Sequence, residues 1–304
     1  MKLVRYGPAG REKPGLIDAN GELRDLSGEI ADIAGDDLGP ATLDRLRAID
    51  PAALPLVDGN PRLAPPLSGI GKIVGVGLNY ADHAAESGMA APDEPILFAK
   101  QTTSLNAPNG DIVMPRGATK VDWEAELAVV IGTTARYVDE ADALAHVAGY
   151  CVANDVSERD FQSNRGGDWQ KGKSCDSFGP LGPWLVTADE VPDPQKLGIK
   201  LWVNGNLMQE FNTDDMAHKI PQVIEFITAI HTLEAGDVIA TGTNHRGLSA
   251  LMDGDKMELE VEGMGRLHND VRDDLKRTWS RETRLDRMNK GEEGTTPQLT
   301  GKYS

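Results

Sequence analysis

Apolar residues recur along the chain in short runs broken by glycine, proline, asparagine and aspartate, a pattern that predicts many strands and few helices. The runs KIVGVG, PILFAK, DIVMP, EAELAVVIG, VAGYCVAND, GPWLVT, IKLWVNG, DVIATGT and KMELEVEG read as strands. Helical spacing is confined to PQVIEFITAIH, a stretch around residues 41–49 and a short segment after Asn79. Strands that cluster without long intervening helices predict an α+β, β-rich fold with mixed or antiparallel pairing, not a doubly wound sheet. At the N-terminus, MKLVRYG and KPGLIDANGELRDLSG read as short strands with a turn at Asn20–Gly21. The following PAALPLVDGNPRLAPPLSG is dense in proline and glycine and reads as a linker. This divides the chain into a small N-terminal α/β domain (1–67), a main domain (68–280) and a polar C-terminal arm (281–304), the last a surface segment or one ordered by a partner subunit.

Within VDWEAELAVV, strand geometry puts Glu124, Glu126, Ala128 and Val130 on one face and Ala125, Leu127, Val129 and Ile131 on the other. Apolar residues on both faces mark a strand covered on both sides, where a carboxylate without a partner is costly. Two readings remain open on this segment alone: a solvated start of the strand, or acids brought inside for their chemistry.

The formal net charge is −17, from 48 acidic and 31 basic residues, which argues against nucleic acid and anionic membranes as partners. No apolar run approaches the roughly 20 residues of a membrane span, and MKLVRYGPAGREKPG lacks the apolar core of a signal peptide. Cys151 and Cys175 make neither a disulfide framework nor a metal-ligand spacing, so a cytoplasmic location is expected.

Several segments offer chemistry. KIVGVGLNYADHAAESG begins like a dinucleotide fingerprint, but Tyr80 stands where the third glycine belongs and no acidic ribose contact follows at the required distance. Asn79 is placed to cap the helix after it and Gly88 to end it, with His83 and Glu86 three apart on one face. So short a helix is marginal without packing and able to open and close; a surface His beside an acid is the plainer reading. Asp155 ends a strand, and if it met Glu124 and Glu126 the three charges would need a cation or protons. Oxygen-only ligands favour Mg²⁺ or Mn²⁺, and nothing has zinc spacing. Lys173, among glycines and small residues, is either a solvated loop lysine or a contact for an anion, and TGTNHRG is either a plain loop or a grip for a carboxylate.

Taken in order, GVGLNYADHAAE, PILFAKQTTSLNAPNGDIVMP, VDWEAELAVVIG, GYCVANDVSERDFQ, KGKSCDSFGPLGPW and LEAGDVIATGT resemble the fumarylacetoacetate hydrolase family over roughly residues 70–245. The resemblance implies a β-sandwich roll around a metal, often preceded by a small N-terminal domain and usually in a homodimer. It implies Glu124, Glu126 and Asp155 as ligands of Mg²⁺ or Mn²⁺, His83 and Glu86 as a catalytic dyad on a mobile lid, and Lys173 projecting into the site. Arg159, Gln162 and Thr243 become expected substrate contacts. Family substrates are 2-oxo acids, so the expected activity is cleavage of a carbon–carbon bond in a 2,4-dioxo acid, an acylpyruvate or a 2,4-dioxo-3-deoxy sugar acid. The alternatives are decarboxylation, hydration or isomerisation of a 2-oxo-dioic acid, and a metal-binding protein without turnover. One departure bears on substrate: many members continue Thr-Gly-Thr with Pro-x-Gly-Val-Gly, where this chain has Asn244, His245 and Arg246.

Overall fold

The computed structural model describes residues 1–81, 92–245, 249–282, 286 and 289–291. The fold is α+β and strand-rich. Its larger sheet runs, in spatial order, Leu23–Asp25, Lys13–Ile17, Lys2–Tyr6, Gly179–Thr187, Val147–Asn154, Ala125–Ile131, Val238–Ala240, Ile73–Gly77 and Ile96–Lys100. A second sheet runs Asn206–Asn212, Gly198–Val203, Lys256–Val261, Arg266–Arg272 and Ile112–Val113. A two-stranded ribbon pairs Val121–Asp122 with Ser157–Glu158.

Strand Ala125–Ile131 is buried at every position, with antiparallel neighbours on both sides. Its two faces serve two cores, which is why its sequence shows no polar alternation. Ala128 and Val130 pack in a cluster with Leu38, Leu43 and Leu185, whereas Leu127, Val129 and Ile131 join Leu201, Leu259 and Ile224. Burial of each leucine contributes about 1.5–3 kcal/mol, so the strand is held firmly from both sides. The N-terminal strands continue the same sheet through the pairing of Lys2–Tyr6 with Gly179–Thr187, and Leu3, Leu16 and Leu46 share the first cluster. Within the proline-rich stretch, Leu54, Ala64 and Leu67 are buried.

The nine strands expected in the main domain are present, as are helices Pro40–Arg47 and Ile220–Ile230. Two further strands carry weaker sequence signals. Asn206–Asn212 is an edge strand with one buried side chain, the rest exposed or half-buried, although the turn before it is well marked, Asn204 and Gly205 having φ of 52° and 77°. Arg266–Arg272 alternates cleanly in burial, but one inward position is Asn269, whose amide donates to the Gly110 carbonyl at 2.9 Å. No helix among the described residues is long and apolar enough to cross a membrane.

Candidate active site

The acidic cluster is a product of register. Ala125 pairs with Asn154 across the antiparallel ladder, so Glu124 falls opposite Asp155, and the Asp155 amide donates to the Glu124 carbonyl at 2.9 Å. Residues directly opposite share a face, and like charges in that position repel. Glu126, two residues along, turns the same way. Oxygens of Glu124, Glu126 and Asp155 lie within 4.8 Å of one another, and all three residues are buried. The solvated-edge reading of the glutamates is therefore excluded.

Cations gather around these acids. The Lys173 ammonium donates to Glu124 Oε2 at 2.5 Å and Asp155 Oδ2 at 2.7 Å, so the solvated-loop reading of that lysine also fails. Lys100 donates to Asp155 Oδ1 at 2.7 Å and to the Lys173 carbonyl. Arg159 Nη2 lies 2.8 Å from Glu124 Oε1. Burial works to raise Glu124, but Lys173 and Arg159 outweigh it and hold the carboxyl well below its ordinary range. Glu126 goes the other way: burial first, then the Asp155 and Glu124 charges, push it well above that range. Burial also lowers Lys100, while Asp155 and Glu124 overcome the same effect at Lys173 and keep it a cation. Glu126 is thus the acid that the existing cations fail to neutralise. Three buried carboxylates, one of them still in need of positive charge, fit a hard divalent ion.

Glu124 and Glu126 open into a pocket of about 120 Å³, while Asp155 lines a neighbouring cavity with Lys100. The apolar wall of the glutamate pocket is Val76, Leu78, Phe98 and Trp169; its polar wall includes Arg159, Gln162, Lys173 and Thr243. The Gly-x-Gly of KIVGVG finds its reason here. A Cβ at Gly75 would stand 2.2 Å from the Phe98 ring and one at Gly77 2.1 Å from the Trp169 ring, so these glycines admit the aromatic wall. At the opposite edge, Gly242 (φ 95°) donates its amide to Glu126 Oε2 at 3.0 Å, and a Cβ there would press on the Val76 carbonyl.

The structure thus brings together Glu124, Glu126, Asp155, Lys173, Arg159, Gln162 and Thr243. The Thr243 hydroxyl donates to the Ala125 carbonyl at 2.6 Å and accepts from Gln209 Nε2 at 3.0 Å, which leaves a single lone pair for a ligand. His83, Glu86 and Gly88 lie outside the described residues. Asn79 is buried, its amide donating to the Thr241 carbonyl at 2.9 Å and accepting from His218 N at 2.9 Å; the helix it was expected to cap lies mostly beyond the described residues. Lys100 and Asp122 escaped the sequence reading. Lys100 is the last residue of an ordinary apolar strand, and Asp122 is one acid among many, bound to Arg159 at 3.3 Å.

Residues 72–272 match the family described as fumarylacetoacetate (FAA) hydrolase C-terminal. A Burkholderia ambifaria protein that bears the provisional name of hydrolase is 58% identical over 243 residues, covering 80% of this chain and 86% of the relative. Among solved structures, fumarylacetoacetate hydrolase from Exiguobacterium antarcticum is 33% identical with a TM-score of 0.78, over 90% of this chain and 99% of that one. A 5-carboxymethyl-2-hydroxymuconate delta-isomerase from Mycobacterium smegmatis is also 33% identical, with a TM-score of 0.72 over the same shares. With two thirds of its length matched to the family and its buried acids on adjacent strands, the chain belongs to the fumarylacetoacetate hydrolase family of enzymes.

Proposed function

We propose that the protein is a metal-dependent hydrolase that cleaves a carbon–carbon bond of a 2,4-dioxo acid, releasing pyruvate and a second acid. The observation that carries this reading is the buried cross-strand pair Glu124–Asp155 with Glu126 beside it, the two glutamates lining a small pocket. Glu124, Glu126 and Asp155 would hold Mg²⁺ or Mn²⁺. When bound there, such an ion supplies Lewis-acid polarisation and charge neutralisation at the 2-oxo acid end of the substrate.

The chain's own residues carry the rest. Lys173 bridges Glu124 and Asp155; with those oxygens engaged by an ion, its ammonium would be placed to hold the oxyanion that develops on the substrate. Phe98 and Trp169 cover one side of the pocket and keep bulk water from the enolate. His83, oriented by Glu86, takes a proton from water. The hydroxide adds to the 4-oxo carbon, the C3–C4 bond breaks, and its electron pair leaves as a pyruvate enolate that is then protonated at C3. Two copies of the chain form the proposed working unit, in a reducing cytoplasm that keeps Cys151 and Cys175 as free thiols.

The isomerase relative favours a second reading, in which the same enolate chemistry rearranges or decarboxylates a 2-oxo-dioic acid. The two readings diverge at His83. Hydrolysis needs an activated water, so His83→Ala should lower cleavage of a 2,4-dioxo acid by about 10² to 10⁴ while leaving oxalate affinity intact. Decarboxylation does not need that base, so CO₂ release from oxaloacetate by the variant, at a rate near the wild type's, would favour the second reading. Full 2,4-dioxo acid cleavage by His83→Ala removes the proposed base altogether.

A further inference from the structure

The geometry points to His245 as a positioning residue that fixes the Arg159 guanidinium and so gives the pocket a wall of hydrogen-bond donors for a hydroxylated substrate tail. This rests on the proposed function for the identity of the ligand, but not for the positioning itself.

His245 is buried, and its Nε2 lies 2.7 Å from Arg159 Nη2. A guanidinium only donates, so Nε2 must accept and the imidazole proton sits on Nδ1. The 3.3 Å approach of the same nitrogen to Glu124 Oε1 is then a contact between two acceptors, and Arg159 is what holds the pair together. The guanidinium has five N–H groups. Nε and Nη2 both reach Asp122 Oδ2 at 3.3 Å, one Nη1 hydrogen goes to Gln162 Oε1 at 3.0 Å, and Nη2 also meets His245 Nε2 at 2.7 Å and lies 2.8 Å from Glu124 Oε1. Without an acceptor at His245, Nη2 loses its shortest contact, and that end of the guanidinium can shift toward Asp122 and Glu124.

The consequence lies on the other side of the group. Gln162 spends its carbonyl on Arg159, so it faces a ligand with its NH₂, and Arg159 has its remaining Nη1 hydrogen beside it. This stretch of wall offers donors and no acceptor. The positive charge of Arg159 is already met by Asp122 and Glu124, so a second carboxylate gains little from it. Neutral oxygens, hydroxyl or carbonyl, match the wall best. The class of substrate is therefore a 2-oxo acid whose far end carries hydroxyl groups.

Isothermal titration of the Mn²⁺-loaded protein tests this with three probes: oxalate, 2-oxohexanoate and 2-oxo-3-deoxygluconate. The wild type should bind the hydroxylated acid about tenfold or more tighter than 2-oxohexanoate, the discrimination that one or two hydrogen bonds provide. His245→Leu should erase that preference and leave oxalate within about twofold, because oxalate does not reach the wall. His245→Gln, whose amide oxygen reaches about as far as Nε2, should restore the preference; a purely packing role would instead be served by leucine. A preference retained in His245→Leu, an equal loss for oxalate, or no preference in the wild type overturns the inference. If the wild type binds none of the three, the proposed function fails, and positioning is judged from a crystal structure of His245→Leu. There, an Arg159 still placed on Glu124 and Gln162 overturns it, and a displaced one supports it.

Discussion

Glu126→Gln should leave the metal-free protein about as stable as the wild type while abolishing its response to Mg²⁺ and Mn²⁺. The reason is the opposite fate of the two glutamates. Lys173 and Arg159 overcome burial at Glu124 and keep it ionised, whereas burial and the neighbouring charges push Glu126 well above the carboxylate range. Without an ion, the protonated, neutral form of Glu126 is favoured over what an ordinary carboxyl would show, and glutamine is the close isostere of that form. The amide oxygen can still accept from Gly242 N, so the folded state loses less than about 1 kcal/mol. The anionic ligand is gone, however. A wild-type protein held at about 100 times the ion's Kd gains about 2.7 kcal/mol of stability; the variant should gain none, and turnover should fall with it. Thermal melts with and without ion check this directly, and an undiminished ion response in Glu126→Gln would remove the residue from the ligand set.

Lys173→Met should separate stability from metal affinity in opposite directions. The Lys173 ammonium touches Glu124 and Asp155 in a buried setting, and the methionine variant leaves two carboxylates facing each other with Lys100 and Arg159 as their remaining cations. Removing one partner of a buried ion pair costs about 3–5 kcal/mol, so the metal-free variant should melt well below the wild type. Mn²⁺ then meets no competing ammonium, and its apparent affinity should rise. Turnover should nevertheless drop by about 10²- to 10³-fold, the loss expected when a donor to a developing oxyanion is deleted. Weaker Mn²⁺ binding in Lys173→Met would show that the lysine supports the ion instead of competing with it.

How much of this was legible in the sequence differs from residue to residue. Glu124 and Glu126 stood out because strand alternation placed two acids on a face that continues into Ala128 and Val130. Asp155 stood out as a strand-terminal acid, but its place opposite Glu124 is a matter of register between strands about 30 residues apart, which local patterning leaves unspecified. Lys100 gave no signal, since a lysine at the end of PILFAK is what a strand emerging into solvent also shows. The Gly-x-Gly of KIVGVG was a true signal of close approach with a different cause: the partners are the Phe98 and Trp169 rings, distant in sequence, not a pyrophosphate. His245 was visible as unusual polarity in TGTNHRG, while its bond to Arg159, 86 residues away, emerged only once the loop was folded against the strand.

The most direct test of the account is pyruvate release from a panel of 2,4-dioxo acids by purified protein, assayed with Mg²⁺, with Mn²⁺ and with chelator. The account predicts one pyruvate and one second acid for each substrate consumed, loss of the activity with chelator, and its return when either ion is restored. Pyruvate release that persists unchanged in chelator, or consumption of oxaloacetate to CO₂ with every 2,4-dioxo acid left intact, would contradict it.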